Sequence, residues 1–146
     1  MNRSRQPIHI AKMRAFEMNY ARIMQLIPDL PESGGAVLLS NNSNQGQIRI
    51  ELVERSPYTS KLEFIHQIPA LQGWIPDMRI SVHVYHDAEV AEVVSYQSQH
   101  GFEARNDYPN PRMHHPNEKA ELNRFLSDWL DHCLKQLASG AMLAVS

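Results

Sequence analysis

Four of the eight histidines fall in one stretch, Tyr85 to Lys119, together with Asp87, Arg105, Asp107 and Glu118. Imidazole changes charge near neutral pH, so such a stretch can supply bases, metal ligands or hydrogen-bond switches. If residues 78–96 form a hairpin, His83 lies opposite Glu92. A carboxylate at that distance holds one tautomer of the ring and raises its pKa. His83, His86, Asp87 and Glu92 are therefore the candidates for acid–base work. The nucleophile is harder to find. Ser81 and Ser95 lack the flanking glycines of a nucleophile elbow. Cys133 sits on an apolar helical stripe, where a thiol is buried and inert. His86 and Asp87 are adjacent, so a regular strand sends their side chains to opposite faces.

Metal and anion sites are weaker readings. His114, His115 and Glu118 are donors of the right type, with Asp107 nearby. No HExxH or CxxC spacing organises them. Pro116 also separates His114 from the helix that carries Glu118, so neither a metal nor another cofactor is expected. Arg105, Arg112 and Lys119 could gather an anion at the helix start, but Asp107 and Glu118 oppose it. Arg105 is expected to brace the loop by pairing with Asp107 or Asp87. The runner-up function is a small hydrolase or metal-dependent enzyme using the His/Asp cluster of residues 83–115.

The reading preferred over catalysis is a protein-binding or regulatory module with a contact surface. Arg79, Tyr85, Tyr96, Arg105, Asp107, Tyr108 and Arg112 mix aromatic and arginine groups, the types enriched where proteins meet. Tyr85, Tyr96 and Tyr108 could instead stack bases. A formal net charge of −2 gives no electrostatic case for nucleic acid or an anionic membrane. Another protein, or a second copy of this chain, is the expected partner.

These groups need elements to hold them. Ile10, Met13, Phe16, Tyr20, Ile23, Met24 and Ile27 recur at helical spacing, which predicts a helix over about 8–27, ended by Pro28. Ala36–Ser40, Gln47–Arg55 and Thr59–Ile68 read as strands; the last two alternate apolar and polar. His66 falls on the apolar side and is expected to be a hydrogen-bonded core or edge histidine. Met78–Tyr85 and Glu89–Tyr96 form the strongest hairpin. A two-residue loop at Asp87-Ala88 would pair Val84 with Ala91, Val82 with Val93, His83 with Glu92 and Tyr85 with Val90. Arg79, Ser81, His83, Tyr85, Val90, Glu92, Val94 and Tyr96 then share the second face. Residues 97–115 read as loop, with room for a short strand at 101–105. Leu122, Phe125, Leu126, Trp129, Leu130, Cys133, Leu134 and Leu137 mark an amphipathic helix that starts near Pro116 and stops at Gly140. Residues 1–6 and 141–146 are ends free to fray, the latter too short to assign.

The order helix, strands, helix predicts an α+β fold: an antiparallel β-meander of four to six strands packed by N- and C-terminal helices. At 146 residues the chain suits a single domain, 1–146. Hydrophobic residues at 42% and charged residues at 21% are ordinary for a globular chain that can bury its own core. One cysteine rules out an internal disulfide and fits a reducing compartment. The N-terminus lacks the apolar run of a secretory signal, and no stretch reaches roughly 18 apolar residues, so a cytoplasmic location is expected.

Four phrases carry a family likeness: EMNYARIMQLIP (Glu17–Pro28), YHDAEVAEV (Tyr85–Val93), FEARNDYPN (Phe102–Asn110) and EKAELNRFLSDWLDHCL (Glu118–Leu134). Through them the chain resembles the YqiB-like family of small bacterial proteins. The likeness spans most of the chain and is looser from Pro31 to Trp74. It implies a small cytoplasmic bacterial domain and carries no catalytic residue or cofactor with it.

Overall fold

The computed structural model describes residues 8–41, 46–71, 73–98 and 116–145. Helix α1 spans Ile8–Leu26 and α2 spans Pro116–Ser139. Between them run β1 (Ala36–Asn41), β2 (Gln47–Arg55), β3 (Thr59–Ala70), β4 (Gly73–Tyr85) and β5 (Val90–Ser98). A last strand, β6 (Met142–Val145), follows α2. All pairings are antiparallel, and the sheet order is β5-β4-β3-β2-β1-β6. The predicted α+β meander with terminal helices is therefore the observed architecture, at six strands among the described residues; the short strand expected at 101–105 lies outside them.

The stretch after Gly140, too short to assign from pattern, proves to be strand. Gly140 adopts φ +84°, a left-handed conformation that ends α2 at low steric cost. The chain then returns as β6 beside β1, pairing Leu39 with Ala144 and Asn41 with Met142. Helix α2 therefore crosses one whole face of the sheet. Its 24 residues extend about 36 Å, against roughly 24 Å for six strands side by side. It touches β5 near its start and β6 near its end.

The core lies between this face and the helices. Leu122, Leu126, Leu130 and Cys133 are buried on α2, with Phe125, Trp129, Leu134 and Leu137 packed against the cluster at partial burial. Opposite them lie Ile48, Ile50 and Leu52 on β2, Leu62 and Phe64 on β3, and Ile80, Val82 and Val84 on β4. Eight side chains at one helical spacing thus find one apolar wall, as the sequence predicts. Helix α1 departs from its stripe: Ile23, Leu26 and Ile27 are buried, but Met13 is half exposed. Its C-terminal half packs on β5 and α2.

Three β-bulges re-aim side chains. One, in β2, lies between Leu52 and Glu54, and turns Val53 outward. Another leaves Asp77 as the extra residue between Pro76 and Met78. The third leaves Val94 extra, because Val82 faces Val93 while Ser81 faces Ser95. The predicted pairs Tyr85–Val90, Val84–Ala91, His83–Glu92 and Val82–Val93 are all present. Past the bulge the faces exchange, and this overturns the expectation for Tyr96. It lies opposite Ile80, is 2% exposed and belongs to the core. The turn also differs from a two-residue loop. It runs from His86 to Glu89, and Glu89 takes φ +57° where a glycine would be easier.

Candidate functional site

Of the predicted contact residues, Arg79 and Tyr85 lie on the sheet face away from the helices, and much of the charge there is paired within the face. Arg79 reaches Glu63 at 2.6 Å, Ser81 donates to the same carboxylate at 3.3 Å, and Arg49 meets Glu51 at 2.6 Å. Ile65 lies between these pairs at 3% exposure, opposite Arg49 on one side and Arg79 on the other. The long arginine stems shield an apolar residue there while their heads stay in water. Arg79 is thus engaged within the sheet.

His83 and Glu92 are cross-strand neighbours, but their side chains do not bond. The Glu92 carboxylate receives Lys119 from α2 at 2.6 Å and the Tyr85 hydroxyl at 3.5 Å. Burial, then the Glu92 charge, raises the Tyr85 phenol above its usual pKa. His83 instead meets the Tyr85 ring edge-on, with centroids 6.4 Å apart. A lysine more basic than imidazole takes the carboxylate, so the expected base–orienter pair does not form.

His86 and Asp87 part as adjacent residues should. Asp87 accepts the Ala88 amide at 3.0 Å and braces the turn. His86 turns toward the helix side. Its Nε2 lies 2.9 Å from Ser60 Oγ and its Nδ1 lies 3.4 Å from the Tyr20 hydroxyl. Burial and then the Arg55 charge lower its pKa, against a smaller opposing pull from Asp87. A serine–histidine contact invites a nucleophilic reading. Ser60 is 1% exposed, so no carbonyl can approach its oxygen. The trio ties α1 to β3 and to the β4–β5 turn. Sequence reasoning misses Ser60 because no local spacing fixes the β3–β4 register, which pairs it with Val84.

A cavity of about 230 Å³ opens on the helix side, under the C-terminal half of α2. Ile48, Trp129, Cys133 and Met142 supply apolar wall, and Gln47, His66 and His132 supply polar edge. Asp77, freed by its bulge, lies 3.4 Å from His66 Nδ1. Burial pushes the Cys133 thiol up to about 12, as its place on the apolar stripe predicts. Among the described residues, no group of three His, Cys, Asp or Glu side chains is placed to hold a metal. Arg105, Asp107, Tyr108, Arg112, His114 and His115 lie outside the described residues, and Glu118 falls in the first turn of α2.

A third feature leaves the body of the molecule. Strand β2 stops pairing with β3 at Gln67, and β5 stops pairing with β4 at Met78. Among the described residues Ile68, Pro69 and Ala70 pair only with Ile75, Trp74 and Gly73. The tip therefore stands out as a two-stranded arm, roughly 13 Å long. Seven of its nine residues from Ile68 to Pro76 are apolar. Leu71 is wholly exposed at 104%, and Ile75 is exposed. The sequence hides this arm because Pro76 interrupts the strand pattern, so that β4 reads as starting at Met78 and not at Gly73.

A six-stranded antiparallel meander, crossed by one helix and edged by another, with no assembled catalytic or metal centre among the described residues, defines a small α+β domain. The chain belongs to the family described as "Protein of unknown function (DUF1249)", whose model matches residues 22–139. It is 41% identical over 131 residues to the uncharacterized protein YqiB of Escherichia coli strain K12, covering 89% of each chain. The same identity and coverage hold for YqiB of Escherichia coli O6:H1 and O157:H7. No solved structure matches the chain.

Proposed function

We propose that the chain is a protein-binding module without catalysis of its own, and that the β3–β4 arm is its contact element. The supporting observation is the fully exposed Leu71 beside exposed Ile75 on a hairpin with no strand on either flank among the described residues. An isolated apolar hairpin costs free energy in water and invites aggregation. Here its edges carry Pro69 and Pro76, which lack the N–H that another strand would need. Strand addition is discouraged while the apolar side chains stay presented. That combination fits a partner that receives side chains in an apolar groove.

This reading moves the surface from the predicted hairpin face to the arm. Arg79 and Glu63 bind each other, and Tyr96 is buried, so the face offers less than its sequence promised. No helix among the described residues is long and apolar enough to cross a membrane. The single buried thiol suits a reducing compartment, and we place the module in the cytoplasm.

A photo-crosslinking residue at Leu71 tests the arm in living cells, with the same residue at Lys61 on the charged face as control. One discrete adduct from position 71, lost when Ile75→Glu is added, is the expected result. Equal adducts from both positions, or an adduct from Lys61 alone, would remove the arm from the proposal.

A further inference from the structure

We propose that the cavity between β2–β3 and α2 is a binding site for a small weak acid with a planar apolar body, of the arylcarboxylate type. Its volume, about 230 Å³, lies below the roughly 300–1,000 Å³ that holds drug-sized ligands. One ring and one head group fill it. The apolar wall contains Trp129, Ile48 and Met142, and the Cys133 thiol stays protonated beside them.

The head group follows from the polar edge. Two imidazoles, His66 and His132, line the cavity, and among the described residues no carboxylate does. Asp77 stands behind His66, 3.4 Å from Nδ1. A carboxylate in that position holds the proton on Nδ1 and leaves Nε2 to face a ligand. Among the described residues Nε2 has no hydrogen-bond partner. A bound acid would share its proton with Nε2, as neutral acid and imidazole or as carboxylate and imidazolium. Among the described lining residues a cation finds no matching charged group.

Gly46 provides an independent observation. Its backbone is not in the left-handed region, unlike Gly34, Gly73 and Gly140, so conformation does not demand glycine there. Space does. A Cβ at residue 46 would lie 3.0 Å from His66 Nε2 and 3.4 Å from the Gln67 carbonyl oxygen. Only glycine leaves that edge of the imidazole open to the cavity.

Titration of the full chain with benzoate, followed by NMR, tests the site. The two tryptophans make an internal comparison, because Trp129 lines the cavity and Trp74 lies on the arm. The Trp129 indole N–H is expected to shift saturably, with Kd on the order of 1 mM, while Trp74 stays fixed. Benzylamine, the same ring with a cationic head, should leave Trp129 unmoved. His66→Gln and Gly46→Ala should each weaken benzoate about tenfold or more, with thermal melts confirming that both variants fold. No saturable shift of Trp129 in the unmodified chain, or an equal response to benzylamine, would overturn the proposal. So would undiminished binding in both folded variants.

Discussion

Asn123 of α2 accepts the Val93 amide proton through its side-chain oxygen at 2.9 Å. That oxygen also takes a proton from Asn19 of α1 at 3.1 Å, and the same Asn19 amide donates to the Ala91 carbonyl at 3.2 Å. Among the described residues β5 is the outer strand of the sheet, and no strand lies beside these backbone groups. Two fully buried asparagines from two helices take the place of the missing neighbour. The edge is closed against strand pairing, and both helices are fixed to one point on it.

Asn123→Leu keeps the size of the side chain and removes both hydrogen bonds that its oxygen accepts. The Val93 amide loses its side-chain partner in a dry environment, and the Asn19 amide loses one of its two acceptors. Each buried unsatisfied group costs about 1–3 kcal/mol, so urea unfolding should show a loss of about 2–4 kcal/mol with little change in slope. Asn19→Leu should cost less. It orphans the Ala91 carbonyl but also removes the Asn19 oxygen, which has no partner among the described residues. A larger loss for Asn19→Leu would show that the Val93 contact is not the anchor.

Tyr96 and Tyr85 separate the bulged register from a regular one. Tyr96 packs edge-on against Phe125, with centroids 6.2 Å apart, and is buried; Tyr85 lies half-buried on the other face. Tyr96→Ala should cost about 3–5 kcal/mol, the range for emptying an aromatic core position. Tyr85→Ala should cost about 1 kcal/mol or less. Similar costs for the two would mean that β5 alternates without interruption from Val90 to Tyr96.

The hairpin and α2 are legible because their patterns are long and their apolar residues have one wall to meet. Val82, Val84, Ala91 and Val93 can only turn inward, and the register of the first four pairs follows. The bulge at Val94 is not legible. It costs one residue of alternation, and because Val93 and Val94 are both apolar the sequence does not show which of them turns inward. Tyr96 reads on the wrong face for that reason. Strand β6 is invisible because four residues carry no periodicity; its pairing with β1 is decided by where α2 delivers the chain. The His66 cavity is hidden differently. Its residues come from β2, β3, α2 and β6, and nothing in the local spacing of His66, His132 and Met142 links them. Asn19 does leave a signal. It stands four and eight residues before Ile23 and Ile27 on the buried side of α1, where a polar residue needs a buried partner.

His86 sets an acid limit on stability. Its folded pKa lies below the ordinary value of about 6.5, through burial and the nearby Arg55 charge. The folded chain therefore binds fewer protons at this ring than the unfolded chain does. The contribution is complete above about pH 6.5 and is lost as pH falls through the depressed folded value. His86→Gln can still reach Ser60 but cannot titrate. The stability gap between the two chains should be constant above neutral pH and shift in favour of the variant on acidification. A gap that is flat from neutral pH into the acid range would mean that His86 titrates alike folded and unfolded.

Cys133 should be chemically silent in the folded chain although it lines the cavity wall. Alkylation requires thiolate, and burial pushes this thiol up to about 12. An unfolded cysteine titrates near 8.5. At pH 8 the folded thiolate fraction is lower by roughly a thousandfold from ionisation alone. Cys133 is also 1% exposed, so burial restricts iodoacetamide as well as the ionisation. Modification should be slow in buffer, rapid in urea, and should track unfolding across a denaturant series. Fast alkylation in buffer at a rate independent of the Asn123→Leu destabilisation would show a thiolate held in the folded cavity. The wall beside Trp129 would then be polar, and the apolar body assigned to the cavity's ligand would have no surface to meet.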